Sequence, residues 1–123
     1  MGNSILLVED NKKLARFMQS SLQEAGYDVA VEGRGDVAIY RILKDMPDLV
    51  VLDIMLPEMD GRQICKTIRN AYTGKILMLT ALSDVGSEVT SLNFGADNYL
   101  SKPVAEEVLL AHVSALLRRP TLT

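Results

Sequence analysis

Four short apolar runs in this chain break off at polar residues that together could hold a divalent cation beside a phosphorylatable carboxylate. Ile5-Leu6-Leu7-Val8 runs into Glu9-Asp10, Leu49-Val50-Val51-Leu52 into Asp53, and Ile76-Leu77-Met78-Leu79 into Thr80. Tyr99-Leu100 is followed by Ser101-Lys102-Pro103. If the runs are parallel strands of one sheet, these polar ends meet at a single edge. That edge then carries the carboxylates of Glu9, Asp10 and Asp53, the Thr80 hydroxyl and the Lys102 amine.

Carboxylates held close together repel, and at least one of them is forced toward its protonated form unless a cation offsets the charge. Mg²⁺ suits such a cluster because it prefers hard oxygen ligands and commonly combines one or two carboxylates with a phosphate. Asp53 is the expected nucleophile, since a carboxylate can attack phosphorus and form an aspartyl phosphate. Lys102 would supply a compact point charge toward the phosphoryl group. Thr80 would offer it a hydroxyl, with the small Ala81 beside it leaving room. Each residue also has a plainer use: a Glu-Asp pair after a strand can cap a helix, and a Thr at a strand end can simply pack. Their joint placement at strand ends favours the chemical reading.

The elements that must position them alternate. Continuous apolar runs of this length suit strands buried on both faces. Between them lie helical patterns: Leu14, Phe17, Met18, Leu22 and Ala25 in the first, with Asn11 as its cap and Gly26 just past its end. A second strand is expected around Val29-Ala30-Val31. The next helix carries Val37, Ala38, Ile39, Ile42 and Leu43, and Pro47 helps to end it. Asp53 opens a loop through Pro57 and Gly61, before a third helix from about Arg62 to Asn70. A fourth helix, capped by Ser83 or Asp84, bears Val85, Val89 and Leu92 and closes at Gly95. A last helix, roughly Ala105 to Arg119, buries Val108, Leu109, Val113, Leu116 and Leu117. Strands alternating with helices predict an α/β fold with a parallel sheet, right-handed crossovers and helices on both faces. Ligands of such sheets sit at the carboxyl ends of the strands. The periodicity leaves the strand order open.

Size and composition agree. With 123 residues, 48% hydrophobic and 24% charged, the chain reads as one soluble globular domain. A net charge of −3 gives no reason to expect a nucleic-acid surface. No apolar run is long enough to span a bilayer or to serve as a secretory signal. The single cysteine, Cys65, suits a reducing cytoplasm.

Taken in order, Glu9-Asp10, Asp53-Ile54-Met55-Leu56-Pro57, Asp60-Gly61, Thr80-Ala81, Gly95-Ala96-Asp97 and Lys102-Pro103 resemble the receiver domain of bacterial two-component response regulators. The resemblance covers nearly the whole chain. It implies a flavodoxin-like (βα)5 fold with strand order 2-1-3-4-5 and a phosphoryl group passed to Asp53 from a sensor histidine kinase. Mg²⁺ would be held by Asp10, Asp53 and the Met55 backbone carbonyl, with Glu9 acting through water. Thr80 and Tyr99 would form the switch pair, changing the face made by the fourth helix, fifth strand and last helix. Such a module is not a turnover enzyme. It assists its own phosphorylation and loses the group slowly, because Met55 and Leu82, two positions beyond Asp53 and Thr80, are apolar.

Within receivers, Gly95-Ala96-Asp97-Asn98-Tyr99 and the closing Leu116-Leu117-Arg118-Arg119 resemble the OmpR/PhoB-type transcription regulators. That likeness implies a homodimer on phosphorylation, with Asp97, Arg118 and Arg119 on the dimer face. It also implies DNA contact only through a C-terminal domain outside this chain. Asn98 stands where a second Asp is usual in that subfamily, and Glu88, His112 and Ser114 replace expected basic residues, so the usual set of interchain ion pairs is incomplete. His112 is expected at a surface or interface and Cys65 in the core.

Two other functions compete. A Mg²⁺-dependent phosphohydrolase with an aspartyl nucleophile usually carries a second Asp two residues on, where this chain has Met55. A flavin binder of the same topology needs a Ser-, Thr- or Gly-rich phosphate loop after the first strand. Glu9-Asp10-Asn11-Lys12 would repel an anionic cofactor there.

Overall fold

The computed structural model describes residues 3–81 and 95–118. Five strands form one parallel sheet: β1 (Ser4–Val8), β2 (Asp28–Glu32), β3 (Leu49–Asp53), β4 (Lys75–Ala81) and β5 (Asn98–Lys102). Their order is β2-β1-β3-β4-β5, as the resemblance implied. Helices α1 (Lys12–Glu24), α2 (Gly35–Asp45) and α3 (Gly61–Ile68) and a last helix, Glu106–Arg118, complete the described elements. The expected fourth helix from Ser83 or Asp84 to Leu92, with Leu82 and Glu88, lies outside the described residues, as does Arg119.

The central strands are buried on both faces, which explains their unbroken apolar character. Alternate residues feed two separate cores. Leu6, Val8, Val50, Leu52, Ile76 and Met78 point to one side, where Ala38 and Ile42 of α2 meet Ile64 and Ile68 of α3. Ile5, Leu7, Leu49, Val51, Leu77 and Leu79 point to the other, against Met18 and Leu22 of α1 and Leu109, Val113 and Leu116 of the last helix. Each such side chain contributes about 1.5–3 kcal/mol through burial. A one-residue slip of any central strand would therefore exchange its contribution to both cores.

Local signals set the helix ends. Asn11 Oδ1 accepts from Leu14 N at 3.0 Å to cap α1, and Gly26 follows its end with φ +100°. Asp60 caps α3 by accepting from Arg62 N at 2.7 Å. The end of α2 differs from the expected arrangement: Met46, before Pro47, takes the left-handed conformation with φ 48°. The buried stripes are also narrower than the periodicity suggested. Phe17, Val37, Leu43 and Val108 are exposed, because each sits on the shoulder of its helix and the sheet reaches only the centre of the stripe.

Candidate functional site

Parallel pairing places the strand ends side by side. Val8 pairs with Leu52 and Asp53 with Leu79, so Glu9 follows β1 directly beside Asp53 at the end of β3. Thr80 pairs with Ser101 and Ala81 with Lys102, which brings the amine to the same edge. The Lys102–Pro103 peptide bond is cis.

The five residues picked from the strand ends do share one edge. One oxygen from each of Glu9, Asp10 and Asp53 lies within 4.8 Å of the others. Asp53 and Glu9 are buried and Asp10 is exposed, so the cluster opens to solvent on the Asp10 side. Lys102 Nζ lies 3.0 Å from Asp53 Oδ2 and 3.3 Å from Glu9 Oε1. The other Asp53 oxygen, Oδ1, accepts from Met55 N at 3.1 Å. Glu9 Oε2 accepts from Asn11 N at 3.1 Å. Both carboxylates are thus oriented by the backbone of the loops that follow their own strands.

The electrostatics are unbalanced. Burial and the neighbouring Asp53 charge push the Glu9 carboxyl up to about 7. Burial alone would lower the Lys102 ammonium, but its bond to Asp53 and the charges of Asp53 and Glu9 outweigh that and raise it. Among the described residues, buried Glu9 Oε1 has no hydrogen-bond partner beyond its 3.3 Å ion pair with Lys102. Three carboxylates face one ammonium, and one buried oxygen lacks a donor. This is the donor set that a hard divalent cation would satisfy.

The loop after Asp53 is held tightly. Gly61 N donates to Ile54 O at 2.7 Å, and Met55 forms an antiparallel bridge with Asp60. A Cβ on Gly61 would collide with the Asp53 backbone carbonyl, so only glycine lets α3 start this close to the site. Arg62 clasps the capping Asp60 through both carboxylate oxygens, which holds the Asp60 carboxyl below its ordinary range. An open depression of about 440 Å³, lined in part by Asp10, Met55, Asp60 and Arg62, leads to the cluster. The Met55 side chain stands out from it, 69% exposed.

Thr80 is buried, and among the described residues its hydroxyl makes a long 3.4 Å contact with the Ala81 carbonyl. Tyr99 is half-buried and packs against the core on the α2 and α3 side. Cys65 lies in that core, as expected. Arg118 is exposed at the end of the last helix.

Asp97 makes contacts within its own chain. Its Oδ2 accepts from Ile76 N at 2.7 Å and lies 3.4 Å from Arg69 Nη1. Arg69 also donates to the carbonyls of Tyr72, Gly74 and Gly95 at 2.6–2.8 Å. Within the chain, Asp97 thus ties the start of β5 to β4 and to the residue that follows α3. Sequence reasoning missed Arg69. Its place on the helical repeat of α3 gives no sign of a partner 28 residues away.

Residues 5–114 match the response regulator receiver domain family, and the chain belongs to it. It is 44% identical over 115 residues to the response regulator ArlR of Staphylococcus saprophyticus, covering 94% of this chain and 52% of that protein. ArlR of Staphylococcus aureus is 42% identical over 115 residues, with the same coverage. The chain spans about half the length of these curated relatives. Among solved structures, the BeF3-activated N-terminal receiver domain of RstA from Klebsiella pneumoniae is 39% identical with a TM-score of 0.89, covering 95% of this chain and 100% of that one. A two-component response regulator from Clostridium difficile is 35% identical with a TM-score of 0.89, covering 95% of this chain and 97% of that one. The protein is thus a receiver module of two-component signalling.

Proposed function

We propose that Asp53 accepts a phosphoryl group from the phosphohistidine of a sensor histidine kinase, and that the modified domain then controls a C-terminal effector. The observation that carries this reading is the buried Asp53 carboxylate held between Lys102 Nζ at 3.0 Å and the Met55 amide at 3.1 Å, next to Glu9 and Asp10. An Asp53 oxygen forms the new P–O bond while the P–N bond to the donor imidazole breaks, and the imidazole leaves with the electron pair and takes up a proton. Lys102 offsets charge on the transferred oxygens, and the Met55 N–H keeps the carboxylate oriented.

Asp10, Asp53 and the Met55 carbonyl would hold Mg²⁺, with Glu9 acting through water. The unbalanced charge of the cluster and the unsatisfied Glu9 oxygen support that assignment. Bound there, Mg²⁺ supplies positive charge to the phosphoryl oxygens. Thr80 Oγ1, weakly engaged as it stands, is free to turn toward the phosphate and donate to it. Tyr99 is the second member of the switch, and the two together bias the surface made by β5 and the last helix. That surface would form the homodimer, with Asp97, Arg118 and Arg119 as its ion-pairing residues.

A cytoplasmic setting and DNA binding through a following domain are part of the same proposal. Relatives about twice this length support the further domain. Among the described residues no helix is long and apolar enough to cross a membrane. The chain's catalytic part is confined to its own modification and slow self-dephosphorylation, since the apolar Met55 cannot orient an attacking water. For the same reason a phosphohydrolase with Met55 in place of a general acid/base is disfavoured. Intact-mass measurement with acetyl phosphate and Mg²⁺ tests the reading. One phosphoryl adduct is expected in the wild type and none in Asp53→Asn; an adduct in both, or in neither, overturns it.

A further inference from the structure

β2 is an outer strand of the sheet. Asp28 N donates to Asn3 O and Glu32 O accepts from Glu9 N, so Asp28, Ala30 and Glu32 turn their backbone groups toward β1. Strand alternation then turns those of Val29 and Val31 outward. Both outward carbonyls are occupied. Gln19 Nε2, from α1, donates to Val29 O at 3.2 Å. Arg41 Nη1, from α2, donates to Val31 O at 3.2 Å and to Glu32 Oε1 at 3.0 Å, which fixes the guanidinium over the edge. The two helices lie on opposite faces of the sheet, so the edge is covered from both sides.

We propose that Gln19 and Arg41 keep the β2 edge from pairing with a second copy of this chain. An outer strand with free carbonyls is a template for strand addition. Two-fold pairing that engages both outward residues, Val29 and Val31, within the five-residue strand would be antiparallel and centred on Ala30. Val29 would then face the partner's Val31, and Asp28 would face the partner's Glu32. Like charges directly opposite one another destabilise a strand pair. Arg41 pairs with Glu32 and offsets part of that repulsion, so the occupied carbonyls are the main obstacle and the acidic strand ends add to it, and association is left to other surfaces of the molecule.

The test removes the two obstacles separately, without phosphodonor or metal. Asp28→Lys sets a lysine against the partner's Glu32 but leaves both carbonyls occupied. Q19A/R41A/D28K frees the carbonyls as well, and R41A/D28K frees one. Sedimentation equilibrium gives the mass, and amide hydrogen exchange reports Val29 and Val31. The triple variant is expected to approach the mass of two chains as concentration rises, with those two amides slowing in step, while D28K keeps the wild-type mass and exchange. R41A/D28K falls between them and decides the matter if the triple variant does not fold. Folded variants lacking one or both caps that behave as D28K does overturn the proposal, as does D28K pairing as strongly as they do.

Discussion

Lys102 Nζ lies 3.0 Å from Asp53 Oδ2 across a separation of 49 residues, and the same ammonium stands 3.3 Å from the buried oxygen of Glu9. One cation thus touches both buried carboxylates of the cluster. Its removal should affect the transfer and the affinity for Mg²⁺ differently. Lys102→Ala is expected to slow labelling by acetyl phosphate by on the order of 10²-fold, the loss typical of a preorganised electrostatic group. Mg²⁺ affinity should hold or rise, because a competing positive charge is gone. Labelling time courses and a Mg²⁺ titration check both arms, and an unchanged labelling rate removes Lys102 from the transfer.

Glu9 gives a pH dependence with a definite sign. Burial first, and then the Asp53 charge, raise its carboxyl from 4.5 to about 7. The folded metal-free protein therefore holds a proton there that the unfolded chain releases. This group's contribution is most favourable below pH 4.5 and is lost as the pH rises through about 7. Glu9→Gln, which cannot ionise, should melt above the wild type at pH 8 in chelator and show no such gain at pH 5. Added Mg²⁺ should narrow the difference at pH 8 by offsetting the charge. Thermal melts at the two pH values, with and without Mg²⁺, check this, and a variant less stable at pH 8 in chelator refutes it.

Gly61 couples stability to the site. A methyl group there meets the Asp53 carbonyl and the Ile54 backbone, neither of which can move without disturbing β3. Gly61→Ala is expected to cost about 1–3 kcal/mol as an overpacking change. Labelling of Asp53 should fall even where the variant remains folded, because Met55 N and Asp53 are held by the same loop. Denaturant unfolding alongside mass labelling separates the two effects.

Cys65 should be inert in the folded protein. It is fully buried among the α2 and α3 core residues, and that burial pushes its thiol up to about 11. Alkylation at neutral pH is expected only as fast as the chain unfolds, with a jump in rate at the denaturant midpoint. Rapid labelling of the native protein would mean that this core opens locally.

Much of the fold was legible because burial on two faces leaves a local mark. The runs Ile5–Val8, Leu49–Leu52 and Ile76–Leu79 could be read as central strands, and the polar residue ending each pointed to one edge. Asn11 and Gly26 act within a turn of their own position, so the chain's local order sufficed for them. The shoulders of the helices were misjudged at Phe17 and Val108, since periodicity reports which side faces inward but not how far the sheet extends.

The sequence alone determined the elements, the strands that end in chemistry and the receiver family resemblance, all of which rest on residues close together in the chain or on their order. Only the tertiary structure decided which charges meet. It set Lys102 against Asp53, turned Asp97 inward to Arg69 and Ile76, and brought Gln19 and Arg41 over the outward carbonyls of β2. Those pairings depend on strand order, register and the faces the helices cover. Side chains reach only a few ångströms, so a contact between distant residues exists only once the packing of the whole sheet has placed them.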